Sequence, residues 1–142
     1  YCMILNLVEV AMKKIVMMLS LCVWSSWALA APVAESIYKQ FSPQGQAAFN
    51  AEHGKALWTK KNTGEDGKER SCATCHGGDL LKPGKHIETG KVIEAMAPSV
   101  NKERYTDIAK IEKWFKRNCK WTYGRECTSQ EKGDILKYLS QF

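Results

Sequence analysis

The chain of 142 residues predicts an all-α protein. Apolar residues recur at helical spacing in three separate segments, polar capping residues stand before them, and no stretch alternates apolar with polar as a half-buried strand does. A composition of 44% hydrophobic and 25% charged residues suits one compact domain.

The N-terminal region stands apart. Lys13 and Lys14 precede the apolar run Ile15 to Trp24, and Ala28-Leu29-Ala30 sets small residues where a signal peptidase cuts. Residues 1–30 are therefore expected to be a signal peptide cleaved after Ala30, which sends the rest to the periplasm. A retained anchor is the rival reading, but a helix from Ile15 to Leu29 would span only about 22 Å, against a hydrocarbon core of about 30 Å. Met12 is the expected natural start because two lysines follow it at once, with residues 1–11 upstream.

Residues 31–142 form the expected domain. Loss of Lys13, Lys14 and Glu9 takes the 21 basic and 15 acidic residues to 19 and 14, a net charge of +5. Charge of this sign steers association with acidic partners or anionic surfaces. Nucleic acid is not expected, since the lysines are scattered and the protein is exported. Cys2 and Cys22 leave with the leader, so four cysteines remain: Cys72, Cys75, Cys119 and Cys127. An oxidising compartment permits disulfides among them.

Residues 31–41 read as a short N-terminal segment. Ser42-Pro43 supplies an N-cap and a first-turn proline, and Ala47, Ala48, Ala51, Ala56, Leu57 and Trp58 predict a helix ending near Lys60. Lys61 to Arg70 is polar and Gly-containing, hence a loop. The connection Gly77 to Tyr105 is broken by Pro83-Gly84, Gly90 and Pro98; so long a loop in a compact domain is usually functional. Thr106-Asp107 caps a helix with Ile108, Ile111 and Phe115 on one face. Thr128 and Glu131 form a capping box before Ile135, Leu136, Tyr138 and Leu139. Three such helices make a modest core. A covalently held cofactor would fill it.

Cys72-Ala73-Thr74-Cys75-His76 is a C-x-x-C-H haem attachment pattern. Two thiols on one helical turn match two vinyl groups on one haem edge, and the adjacent imidazole can take the iron. A thioredoxin-type redox pair would need a βαβ setting that the sequence lacks. A zinc site would need Cys119 and Cys127 as its second pair, and their spacing is too wide for a usual knuckle. One motif implies one haem c.

Four residues could take the opposite face of the iron: Met96, His53, His86 and Asn118. Met96 lies in the long loop where class I cytochromes c commonly place a soft methionine ligand. His53 falls on the first helix, and His86 in a lysine-rich loop. Asn118 shares a helical face with Ile108, Ile111 and Phe115. A buried amide without a partner costs about 1–3 kcal/mol, so it must meet a hydrogen-bonding group or a metal. An ordinary satisfied asparagine near a helix end is the alternative.

The runs KWFKRNCKWTYGREC, TSQEKGD, MAPSVN and CATCHG closely resemble the sphaeroides haem protein (SHP) family of small exported class I-like cytochromes c, over roughly residues 41–142. The resemblance implies a class I cytochrome c-like fold, with about three main helices around one covalently bound haem. It implies Asn118 as the sixth ligand to ferric haem, with Met96 the alternative, and a disulfide between Cys119 and Cys127. Such a bridge would remove about 2.5 kcal/mol of chain entropy from the unfolded state in the simple model. It would also fix the helix end that carries Asn118.

An amide oxygen is a hard, weak donor that suits ferric better than ferrous iron. In the resembling family the asparagine leaves on reduction and opens the iron to oxygen, nitric oxide or carbon monoxide. Two function classes follow. One is an electron carrier, for which the resemblance implies a dihaem cytochrome c and a membrane cytochrome b as partners; the other is a gas-binding or gas-converting haem oxidoreductase. No general acid, base or nucleophile set surrounds a substrate pocket, so a carrier or ligand-binding protein is expected ahead of a dedicated enzyme.

Overall fold

The computed structural model describes residues 35–42 and 48–142. The expected leader, residues 1–30, and Pro43 and Ala47 lie outside them. Helix α1 (Glu35–Phe41) occupies what the sequence marked only as a short N-terminal segment, and buries Ile37 and Phe41, four residues apart on one face. The Ser42 amide donates to the Tyr38 carbonyl at 3.1 Å at the end of α1, and the helix start expected at Ser42-Pro43 lies in part outside the described residues.

Helix α2 (Ala51–Thr59) starts later than Ser42-Pro43 suggested. Its cap is Asn50, whose carboxamide oxygen accepts from the amides of Glu52 at 2.9 Å and His53 at 3.1 Å. Those are two of the amides that a helix start leaves without intrahelical partners. Two small antiparallel ladders follow. β1 (Asn62–Thr63) pairs with β2 (Glu69–Arg70), and after the single turn α3 (Ala73–His76), β3 (Gly84–Lys85) pairs with β4 (Val92–Ile93). The sequence showed no strand because two-residue ladders are too short to show alternation.

The two later helices match their sequence signals. Asp107 caps α4 (Ile108–Tyr123), accepting from the amides of Ala109 and Lys110, and Gly124 ends it in the left-handed conformation at φ 68°. Thr128 and Glu131 form the expected capping box at α5 (Ser129–Leu139). Among the described residues no helix is long and apolar enough to cross a membrane.

Helix α5 is the spine of the core. Leu136 joins Ile37, Phe41 and Ile111 in one cluster. Ile135, Tyr138 and Leu139 join Trp58 and Leu80 in a second. Helices α2 and α5 approach so closely that a Cβ on Gly54 would overlap the Asp134 carbonyl. The Asp134 side chain, 1% exposed, ties this crossing together. It accepts from the Asn50 amide at 2.7 Å and the Gln130 carboxamide at 2.9 Å, and meets His53 Nδ1 at 2.7 Å.

Candidate haem site

Cys72, Cys75 and His76 sit on one helical turn. Cys72 is the N-cap of α3, and its carbonyl accepts from the amides of Cys75 at 3.3 Å and His76 at 3.1 Å. The Thr74 hydroxyl accepts from the Ser71 amide at 2.9 Å and braces the entry to the turn. Gly84 of β3 lies so tightly on the backbone of Cys75 and His76 that any side chain there would collide with it. Both cysteines are free thiols; Cys75 is buried and Cys72 half-buried. Burial pushes the Cys72 thiol up to about 11.

The His76 ring packs 5.3 Å from the Trp58 ring, and its Nδ1 is fully buried with no hydrogen-bond partner. Burial first, then the positive Arg104 and the nearby His86, hold its pKa down at about 4. A neutral imidazole is the form that ligates metal. Two free thiols at this spacing, a neutral buried imidazole and the orphaned Nδ1 together fit a covalently attached haem. Three histidine, cysteine or acidic side chains grouped to hold a metal ion by themselves do not occur among the described residues, which counts against the zinc alternative.

The four candidates for the sixth position stand in different surroundings. The His53 ring is committed to Asp134. His86 stacks on Trp121 at 5.2 Å, and its Nδ1 accepts from the amides of Glu88 and Thr89 at 3.3 Å each. Met96 borders the same apolar cluster as Trp58 and Cys72. Its amide donates to the Leu80 carbonyl at 3.1 Å, and its carbonyl accepts from the Tyr105 hydroxyl at 2.9 Å. Asn118 is half-buried on α4, and its carboxamide has no hydrogen-bond partner among the described residues.

The end of α4 is fastened at several points. Cys119 and Cys127 are both buried and stand at disulfide distance, with Cα atoms 5.6 Å apart. Arg70, 1% exposed, donates to the Trp121 carbonyl at 2.7 Å and to Asp66 at 2.6 and 2.8 Å. Its guanidinium lies 3.9 Å over the Trp121 ring.

Residues 44–139 match the family described as a domain of unknown function, DUF1924. Over 94 residues the chain is 45% identical to the cytochrome c-type protein SHP of Cereibacter sphaeroides, covering 66% of this chain and 72% of that protein. A solved structure of oxidised SHP, described as an oxygen-binding cytochrome c, superposes with a TM-score of 0.69 at 38% identity, over 75% of this chain and 95% of that one. The chain belongs to the SHP family.

Cytochrome c'' of Methylophilus methylotrophus is also similar, 41% identical over 86 residues, which is 61% of this chain and 60% of that protein. Its oxidised crystal structure superposes with a TM-score of 0.64 at 34% identity, over 74% of this chain and 90% of the other. The fold is thus that of the class I-like cytochromes, as expected, with α2, α4 and α5 as its main helices.

Sequence reasoning missed two features that this SHP-family chain builds around the motif. One is the stack of Arg70, Trp121 and His86, which joins β2, α4 and the β3–β4 hairpin. The other is the Tyr123 hydroxyl, which donates to the Leu57 carbonyl at 2.8 Å and lies 3.9 Å from Cys72 Sγ. Neither leaves a spacing signal, because the partners come from distant segments.

Proposed function

We propose that the chain is an exported monohaem cytochrome c that transfers electrons and, when reduced, binds a small diatomic ligand such as oxygen or nitric oxide. Cys72 and Cys75 would hold the haem as thioethers, His76 would be its proximal ligand and Asn118 its distal ligand in the ferric state, with Cys119 and Cys127 disulfide-bonded beside it. The haem, when bound, supplies one-electron chemistry and one exchangeable coordination position.

The observation that carries this reading is the unpartnered Asn118 carboxamide, half-buried on α4. Its amide atoms are not sealed from solvent and no protein group among the described residues holds them, so they are free to engage a further group. Its hard oxygen favours ferric over ferrous iron, so reduction weakens its hold. The bridge at Cys119 keeps the helix end in place whether or not the amide is engaged, so the amide can release and return without refolding. Kinship with SHP supports the ligand-binding part of the reading, and the basic charge supports exchange with acidic redox partners, a dihaem cytochrome c or a membrane cytochrome b among them.

A second reading is an ordinary carrier with Met96 as sixth ligand, favoured by the position of Met96 beside Cys72 in the same apolar cluster. Absorbance and resonance Raman spectra of both oxidation states, with and without carbon monoxide, separate the two. Asn118→Ala is expected to leave haem content unchanged, convert the ferric spectrum from low to high spin and change ligand affinity, while Met96→Ala preserves the ferric spectrum. The opposite result from the two variants would transfer the sixth position to Met96.

A further inference from the structure

Helix α4 carries a basic stripe along its solvent side. Lys110, Lys113, Trp114 and Arg117 follow an i, i+3, i+4, i+7 spacing and so share one helical face. All four are exposed, Trp114 to 44%. The Arg117 guanidinium stands 5.6 Å over the Trp114 ring. Lys116 flanks the stripe. None of these four cations has a carboxylate at salt-bridge distance among the described residues.

The acids near them are already engaged. Glu112, the acidic residue within α4, pairs with Lys132 at 2.7 Å, and the Asp107 carboxylate caps the helix. Lys120, further along, is paired with Glu126 at 3.6 Å. Like charges spaced three and four residues apart on a helix destabilise it, and a large exposed indole gains nothing from water. Both costs vanish when an acidic surface covers the stripe.

We propose that this face of α4 is the docking surface for an acidic partner protein. Trp114 and Arg117 are the anchors, residue types that dominate the energetics of protein interfaces, and the lysines steer the approach. A lipid surface fits less well, because the apolar side of α4, Ile111 and Phe115, faces the core and leaves Trp114 alone to enter a bilayer. Trp114 is the neighbour of Asn118 one helical turn earlier, so the partner would sit beside the proposed distal ligand. That the partner is a redox protein rests on the function proposed above; the docking surface itself does not.

The test uses the holoprotein and an acidic flavodoxin in its hydroquinone state as a stand-in partner. Lys113→Glu/Arg117→Glu is compared with Lys55→Glu/Lys61→Glu, an equal charge change at exposed positions on α2 and the loop after it. Ferric spectra are recorded first to show that the haem environment is retained. The wild-type reduction rate is expected to fall at least about tenfold as salt rises from roughly 10 mM to 500 mM. The α4 pair should lower the low-salt rate at least about tenfold and flatten its salt dependence, and the control pair should change it less than about twofold.

Equal effects of the two pairs, or none from the α4 pair, overturn the proposal. Co-sedimentation with phosphatidylglycerol vesicles that the α4 pair abolishes, alongside an unchanged flavodoxin rate, overturns it in favour of a lipid surface. A colourless purified protein would instead defeat the haem reading. Calorimetric titration with flavodoxin, which needs no electron transfer, would still decide the docking surface.

Discussion

Tyr123 reaches Cys72 from the last turn of α4: its hydroxyl oxygen lies 3.9 Å from the cysteine Sγ while its proton goes to the Leu57 carbonyl at 2.8 Å. One side chain thereby ties the helix of Asn118 both to α2 and to the first residue of the C-x-x-C-H turn. Because the phenol has a single proton, the sulfur can only be the donor in this pair. Once alkylated, that sulfur has no proton to give, and the contact becomes one of packing.

Tyr123→Phe removes the donor to the Leu57 carbonyl and leaves that oxygen short of a partner. The expected loss is about 1 kcal/mol, a Tm lower by about 4 °C for a domain of this size. Thermal unfolding of the purified variant measures it, with haem content expected to stay the same.

Replacing both Cys119 and Cys127 by serine should cost about 2.5 kcal/mol in denaturant unfolding, from the chain entropy that the closed loop removes. The ferric spectrum should also become heterogeneous, because α4 then loses the clamp beside Asn118. A variant pair with unchanged stability would show that the two sulfurs are not bonded in the purified protein.

The pH dependence of stability has a defined sign at Glu131. Hydrogen bonds from Arg125 hold the Glu131 carboxyl at about 2, below its usual 4.5, with the Thr128 amide adding to the effect. A depressed folded-state pKa contributes stability that is complete above the unfolded value and is lost as pH falls through the folded one. The contribution should therefore fade between about pH 4.5 and pH 2. The group is partly solvated, so its size is that of a screened ion pair, at most about 1 kcal/mol. Arg125→Ala should lower the unfolding midpoint at pH 7, and the gap from wild type should shrink on acidification across that window.

Gly54→Ala places a methyl group where the Asp134 carbonyl already is. Helices α2 and α5 would have to separate, at about 1–3 kcal/mol or more. A denaturant curve checks this, and Ala56→Gly, an exposed position two residues on in the same helix, is the control. It should cost only about 1 kcal/mol of helix propensity.

Much of the fold was legible wherever a side chain acts on its own helix. Asp107 and the Thr128–Glu131 pair cap the helices they precede, and those local bonds leave local spacing. The C-x-x-C-H turn was legible for the same reason. Asn50 was passed over because Ser42-Pro43 is the stronger pattern, although it is the Asn50 side chain that caps α2. The buried Asp134 collects partners 81 and 84 residues away, and Arg70 meets Trp121 51 residues on, so no window along the chain reveals either. Asn118 was visible as a polar residue on an apolar face, but its want of a partner became visible only in three dimensions.

The β3–β4 hairpin seats Gly84 directly against the peptide of Cys75 and His76, and Cys75 is buried. Of the two proposed attachment sulfurs, the one on Cys75 is buried in the closed fold. On the proposed thioether attachment, maturation and folding are then rivals in time: the porphyrin would be joined while the strand pair is still open. Substitutions that hasten hairpin closure should raise the yield of pale, sealed apoprotein even when they leave the finished molecule unharmed.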